Sequence, residues 1–126
     1  MAYGSFEDLE VWKRACRLAV KVYEVLRECR DYGLKDQMTR AAVSIASNTA
    51  EGAERDSKAE FIRFLHIAKG SAAELRTQVY IAHRIGFLES SHKEELIAEL
   101  KTLSSMLHAL IKSLKHPNPP PRAPKT

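Results

Sequence analysis

Between Ser57 and Gly86 the chain repeats apolar residues at three- and four-residue intervals: Phe61, Leu65, Ala68, Ala72, Leu75, Val79 and Ala82. That period puts them along one side of an α-helix. Ser57 and Glu60 open the run as a capping box, the serine oxygen accepting a free N–H while the glutamate reaches back to the cap. The spacing predicts a helix of about 29 residues, roughly 43 Å long. A helix of that length with a continuous apolar seam is stable in water only when other elements cover the seam.

The covering elements follow the same period. Helix 1 is predicted from Ser5 to about Arg30, with Leu9, Trp12, Cys16, Ala19, Tyr23 and Leu26 on one seam and Val11, Ala15, Leu18, Val22 and Val25 beside it. Gly33 is read as the positive-φ residue that ends this helix, and helix 2 runs from about Leu34 to Gly52. A second capping box, Ser91-x-x-Glu94, is expected to open helix 4, whose seam is Leu96, Leu100, Leu103, Leu107, Leu110 and Leu114. Short connections make consecutive helices antiparallel neighbours, and no segment has a strand pattern. The expected fold is therefore all-α, an up-down-up-down antiparallel four-helix bundle over residues 1–115. Residues 116–126 form a basic tail with Pro117, Pro119, Pro120, Pro121 and Pro124, expected to be disordered or extended.

The chain has 126 residues, enough for one domain, and no long apolar run or signal-peptide pattern, so a cytoplasmic protein without a membrane partner is expected. Cys16 is read as a buried thiol; on one helix it would stand about 20 Å from Cys29, too far to bridge. Glu89-x-x-His92 has the spacing used by di-iron bundles, but no second such pair occurs. There is no phosphate-binding glycine loop, nucleophile elbow or zinc-type Cys/His cluster. Neither catalysis, metal binding nor a cofactor is expected.

Two sets of polar residues stand out against the seams. On helix 2, Gln37, Arg40, Ser44, Asn48, Glu51 and Arg55 form a stripe, and on helix 3 the seam Phe64, Ile67, Ser71, Glu74, Gln78, Ile81, Ile85 turns polar at its middle. Arg40, Asn48, Glu74 and Gln78 are the candidate polar core, Arg40 pairing with Glu74, unless both are simply solvated. Ala41, Ala42, Ala46, Ala68, Gly70, Ala72 and Ala73 allow helices 2 and 3 to approach closely. The second set is basic. The net charge of +4 equals the contribution of Lys112, Lys115, Arg122 and Lys125 from residue 112 onward, where no acid occurs. The body is nearly neutral, yet Arg14, Arg17 and Lys21 cluster with Lys13 on helix 1. Helix 3 carries His66, Lys69, Arg76, Tyr80 and His83, with Arg63 and Arg84 close by. Cations interleaved with an aromatic are the footprint of phosphate binding and base stacking, and also of an ordinary solvated face. Arg14, Arg17, Lys21, Arg63, Lys69, Arg76 and Arg84 are the candidate nucleic-acid-binding residues.

Phe6-x-Asp8-Leu9-x-Val11-Trp12, Tyr32-Gly33-Leu34-x-x-Gln37, Arg40-Ala41-Ala42-Val43-Ser44-Ile45, Asn48-x-Ala50-Glu51-Gly52 and Glu60-Phe61-x-x-Phe64-Leu65 closely resemble the 23S rRNA-intervening-sequence proteins, a family of four-helix bundles. Ile67-Ala68-x-Gly70-Ser71, Glu74-Leu75 and Ile111-Lys112-Ser113-Leu114 extend the likeness over nearly everything before the tail. Members occur in open reading frames within intervening sequences of bacterial large-subunit rRNA genes and elsewhere. The family is similar to the accessory variability determinant of diversity-generating retroelements, a pentameric bundle that binds nucleic acid and a reverse transcriptase. The resemblance thus implies a homo-oligomer, a ring of five, with RNA or DNA and a reverse transcriptase as candidate partners. A structural or protein-docking oligomer without nucleic-acid affinity is the alternative. Two positions depart from the pattern: Ala46 stands where proline is common, which should straighten helix 2, and Arg76 where glutamate is common, which makes helix 3 more basic.

Overall fold

The computed structural model describes residues 5–117, so the tail from Asn118 onward lies outside the described residues. Four α-helices follow a short 3-10 turn at Phe6–Asp8: α1 Glu10–Val25, α2 Tyr32–Ala53, α3 Lys58–Arg84 and α4 Ser90–Lys115. Each helix packs on the next, and α1 closes the ring against α4; the diagonal pairs make no close backbone contact. No strand occurs among the described residues. This is the all-α four-helix bundle that the seams require.

The seams meet in one core. All seven predicted seam residues of α3 are buried, as are Leu96, Leu100, Leu103 and Leu107 of α4. On α1 the core comes mainly from the seam of Val11, Ala15, Leu18 and Val22, while Tyr23 of the other seam stays exposed. Cys16 is only partly buried and Cys29 is the more buried thiol; both are free. Burial pushes the Cys16 thiol up from its ordinary range.

The contact between α2 and α3 is the most extensive, because small residues line it. Ala41, Ala42, Ala46 and Gly52 of α2 and Ala68 and Ala72 of α3 are buried. Gly52 sets the closest point: a Cβ there would stand 2.6 Å from Phe64 Cβ and 3.2 Å from Phe61 Cδ1. Ala46, in the place where the family pattern favours proline, is buried within the uninterrupted helix.

Several ends differ from expectation. Helix 1 does not run from Ser5 to Arg30. Ser5 instead caps the 3-10 turn through Glu7 N (3.0 Å), and Phe6 meets Trp12 edge-to-face with ring centroids 5.2 Å apart. After Val25 the chain turns so that Leu26 and Cys29 both enter the core. Gly33 is not the stop and has no positive φ; it lies in the first turn of α2, whose N-cap is Asp31, with Oδ1 accepting from Leu34 N at 3.0 Å. Ser57 does cap α3, accepting from Glu60 N at 3.2 Å, but the Glu60 carboxylate holds Arg63 instead of closing the box. The end of α3 is a Schellman motif: Gly86 has φ 87°, Gly86 N donates to His83 O (3.2 Å) and Phe87 N to Ala82 O (2.9 Å). The second capping box does not form, because α4 begins one residue before Ser91 with Glu89 at its N-cap and no side-chain cap bond.

Candidate nucleic-acid interface

The expected polar core does not assemble. Arg40 reaches Asp36, one turn back on its own helix, at 3.5 Å, and no ion pair among the described residues joins it to Glu74. Both groups are exposed, and solvation there costs less than burying a charge pair. Asn48 Nδ2 donates to Ser44 O (2.9 Å) and Ser44 Oγ (2.8 Å), within α2. The side-chain bridge between α2 and α3 is instead Ser44 Oγ to Ser71 Oγ, 2.9 Å. Gln78 is buried; its Nε2 donates weakly to Glu74 at 3.4 Å, while its Oε1 has no partner among the described residues.

The seven candidate cations fall into two groups that the fold separates. Arg14, Arg17 and Lys21 line the groove between α1 and α4, and that groove also carries Glu95 and Glu99. Arg14 makes a two-pronged bond to Glu99, Nε to Oε1 at 2.8 Å and Nη2 to Oε2 at 2.7 Å. The hydrogen bond, and then the charge, of Glu99 raise the Arg14 pKa above its ordinary value. Lys21 reaches Glu95 at 3.3 Å and Arg17 reaches Glu10 at 3.3 Å. These three cations already hold carboxylates, so the α1 group does not form a free basic patch.

Arg63, at the start of α3, is likewise held by Glu60 at 2.7 Å and stacks over Phe64, 4.5 Å from the ring centroid. The other three, Lys69, Arg76 and Arg84, take part in none of the six ion pairs among the described residues. Lys69 and Arg76, seven residues apart, lie on the side of α3 next to α4, and Arg84 is exposed at the C-terminal end of the same helix. Lys69 Nζ stands 3.4 Å from His108 Nδ1, Lys93 Nζ stands 5.6 Å from the Tyr80 ring centroid, and His83 Nε2 meets Ser90 Oγ at 3.1 Å. These contacts reveal cations that the sequence reading left out. Helical spacing puts Lys101 two turns before His108 and Lys112 one turn after it, both exposed. Lys69, Arg76, Arg84, Lys93, Lys101 and Lys112 therefore share one long face, with Tyr80 and His108 among them. Glu94 is the acidic exception on that side of α4. The lysines of helix 4 recur at no regular heptad spacing, and only the antiparallel register of α3 and α4 joins them to the helix 3 stripe.

No group of three His, Cys, Asp or Glu side chains among the described residues could hold a metal ion. Glu89 and His92 sit at the N-terminus of α4, away from any such cluster. No described helix is long and apolar enough to cross a membrane.

A ring of four sequential helices with a carboxylate-paired seam on one side and a cationic face on another defines the class: a small all-α bundle with an exposed basic surface and no metal-ligating cluster among the described residues. The chain belongs to the 23S rRNA-intervening sequence protein family, whose model matches residues 7–109. The comparison with curated proteins gives no significant match. Among solved structures, the bundle is similar to a protein of unknown function from the S23 ribosomal protein family of Bacteroides thetaiotaomicron. That protein shares 24% identity and a TM-score of 0.77, over 81% of this chain and 98% of the other. At that identity the likeness speaks for the fold alone.

Proposed function

We propose that this protein is a non-catalytic, self-associating nucleic-acid-binding factor that grips RNA or DNA phosphates with the face shared by α3 and α4. The observation that carries the reading is the separation of charge. The cations of α1 are held by carboxylates, whereas Lys69, Arg76, Arg84, Lys93, Lys101 and Lys112 lie together outside every ion pair among the described residues. A cation already fixed by a carboxylate has little charge to offer a phosphate; an exposed one has all of it. Of the seven residues expected from sequence, the reading keeps Lys69, Arg76 and Arg84.

One monomer supplies few phosphate contacts, so useful affinity comes from several copies acting together. Assembly as a ring of five and a reverse transcriptase as protein partner draw on what the family resemblance implies, the family being similar to the accessory variability determinant of diversity-generating retroelements; a cytoplasmic setting belongs to the same proposal. A second reading, a protein-docking oligomer without nucleic-acid affinity, draws on exposed apolar side chains away from the basic face: Val20 and Tyr23 on α1 and Val43 on α2.

Titration of labelled single-stranded RNA and duplex DNA at several salt concentrations separates the two. Each contacted phosphate contributes about 0.9 to the slope of log affinity on log salt for duplex DNA and about 0.7 for a single strand. Wild-type protein is expected to bind at low salt and to weaken steeply as salt rises, with Arg76→Glu reducing both affinity and slope. No binding at low salt, or indifference to Arg76→Glu, favours the docking oligomer. Native mass spectrometry showing only monomer at micromolar concentration would overturn self-association.

A further inference from the structure

On the outer side of α3, bordering the α3–α4 face at Tyr80, lies a shallow depression of about 410 Å³ lined by Thr77, Tyr80, Ile81 and Arg84. Tyr80 is 40% exposed and Ile81 48%, so an aromatic ring and a branched aliphatic chain meet solvent side by side. Scattered exposed apolar residues are ordinary, but the groups around this pair are not arranged at random. Lys93 Nζ covers the Tyr80 ring from α4, 5.6 Å from its centroid. Arg84 is exposed and belongs to no ion pair among the described residues. Thr77 Oγ1 donates back to Ala73 O at 3.0 Å, which leaves the hydroxyl oxygen able to accept. The depression thus combines an apolar stacking surface, the Arg84 cation in its lining and one hydrogen-bond acceptor, with Lys93 held over one face of the adjoining Tyr80 ring.

We infer that this depression is a subsite for one unstacked base of a single-stranded nucleic acid. The base lies against Ile81 and the face of Tyr80 that Lys93 leaves open, Arg84 meets a flanking phosphate, and Thr77 Oγ1 accepts from an N–H at the base edge. This rests on the α3–α4 face being the nucleic-acid surface and narrows its ligand class. In a duplex the faces of the bases are already stacked on one another, so an exposed ring gains nothing from them; in a single strand they are available. A flat row of cations alone would not distinguish the two. The aromatic depression does.

The test compares a single-stranded oligoadenylate RNA, the same strand with one abasic position per binding length, and an RNA duplex of equal length. Each is titrated by fluorescence anisotropy at one fixed low salt concentration against wild type, Tyr80→Phe and Tyr80→Leu, with circular dichroism to verify folding. Loss of one stacking partner is expected to weaken single-strand binding by about tenfold in Tyr80→Leu. Duplex binding should stay within about twofold, and Tyr80→Phe should match wild type because stacking needs the ring and not the hydroxyl. The abasic strand should bind wild type more weakly than the intact strand and respond less to Tyr80→Leu. Equal effects on single strand and duplex, or no effect on either, would overturn the subsite and leave the phosphate-binding face standing. If wild type binds none of the three, the nucleic-acid reading fails together with the subsite.

Discussion

Arg14 and Glu99 are joined by two parallel hydrogen bonds of 2.8 and 2.7 Å across the α1–α4 seam, although 85 positions separate them in the chain. The fork does two things. It holds the first and last helices in register where the ring of helices closes, and it removes Arg14 from the pool of cations open to a phosphate. Arg14→Gln is therefore expected to lower the melting temperature while leaving nucleic-acid affinity nearly unchanged. Arg76→Glu, on the open face, should do the opposite. Thermal melts and anisotropy titrations on the two variants check the split; a large affinity loss in Arg14→Gln with normal melting would place the α1 cluster back at the interface.

The tight approach at Gly52 makes a contrasting pair with Gly70. Adding a Cβ at Gly52 drives it into Phe64 Cβ at 2.6 Å, whereas at Gly70, also within a helix, nothing lies within 4 Å. Gly52→Ala should destabilise by about 1–3 kcal/mol through overpacking, partly offset by better helix propensity. Gly70→Ala should stabilise by roughly 0.5–1 kcal/mol, since only the propensity gain remains. Urea melts of the two variants should move the midpoint in opposite directions.

Ser44 and Ser71, not Arg40 and Glu74, couple α2 to α3. In a double-mutant cycle, Ser44→Ala and Ser71→Ala should show a coupling of about 0.5–1.5 kcal/mol, the usual net worth of one hydrogen bond. Arg40→Ala and Glu74→Ala should combine additively with small effects, because each side chain is solvated and they never meet. A sizeable coupling in the second cycle would contradict the observed pairing.

The Glu60–Arg63 contact gives a pH dependence of known sign. The hydrogen bond from Arg63 holds the Glu60 carboxyl below its ordinary value, against a smaller opposing effect of burial. A carboxylate with a depressed folded-state pKa contributes stability above its unfolded pKa and loses it as pH falls through the folded one. The contribution is thus present at neutral pH and disappears on acidification through and below the usual glutamate range. Glu60→Gln should lower stability slightly at neutral pH and bring the variant closer to wild type in acid. Melts at pH 7 and in the acid limb would reveal the convergence; parallel curves would show that the contact contributes nothing.

The legible part of the fold was the part carried by local period. The seam from Phe61 to Ala82 and the Leu96–Leu107 seam are buried as read, because a helix's apolar face must be covered whatever covers it. Helix ends were less legible: Gly33, read as the stop of helix 1, lies inside α2 behind its N-cap Asp31, and Ser91 was passed over because α4 starts earlier. On the candidate site, the stripe of Lys69, Arg76, Tyr80 and Arg84 could be seen in the sequence. Its continuation through Lys93, Lys101 and Lys112 could not, since it depends on how α4 lies against α3.

The sequence by itself determined four helices, their buried faces and a bundle, because hydrophobic periodicity is a property of neighbours along the chain. Only the tertiary structure decided which charges cancel. Arg14 and Lys21 look as basic as Lys69 and Arg76 until α1 packs beside Glu95 and Glu99 of α4. Electrostatic pairing falls off with distance in space and takes no account of separation in sequence, so the free cationic face exists only once the ring of helices has closed.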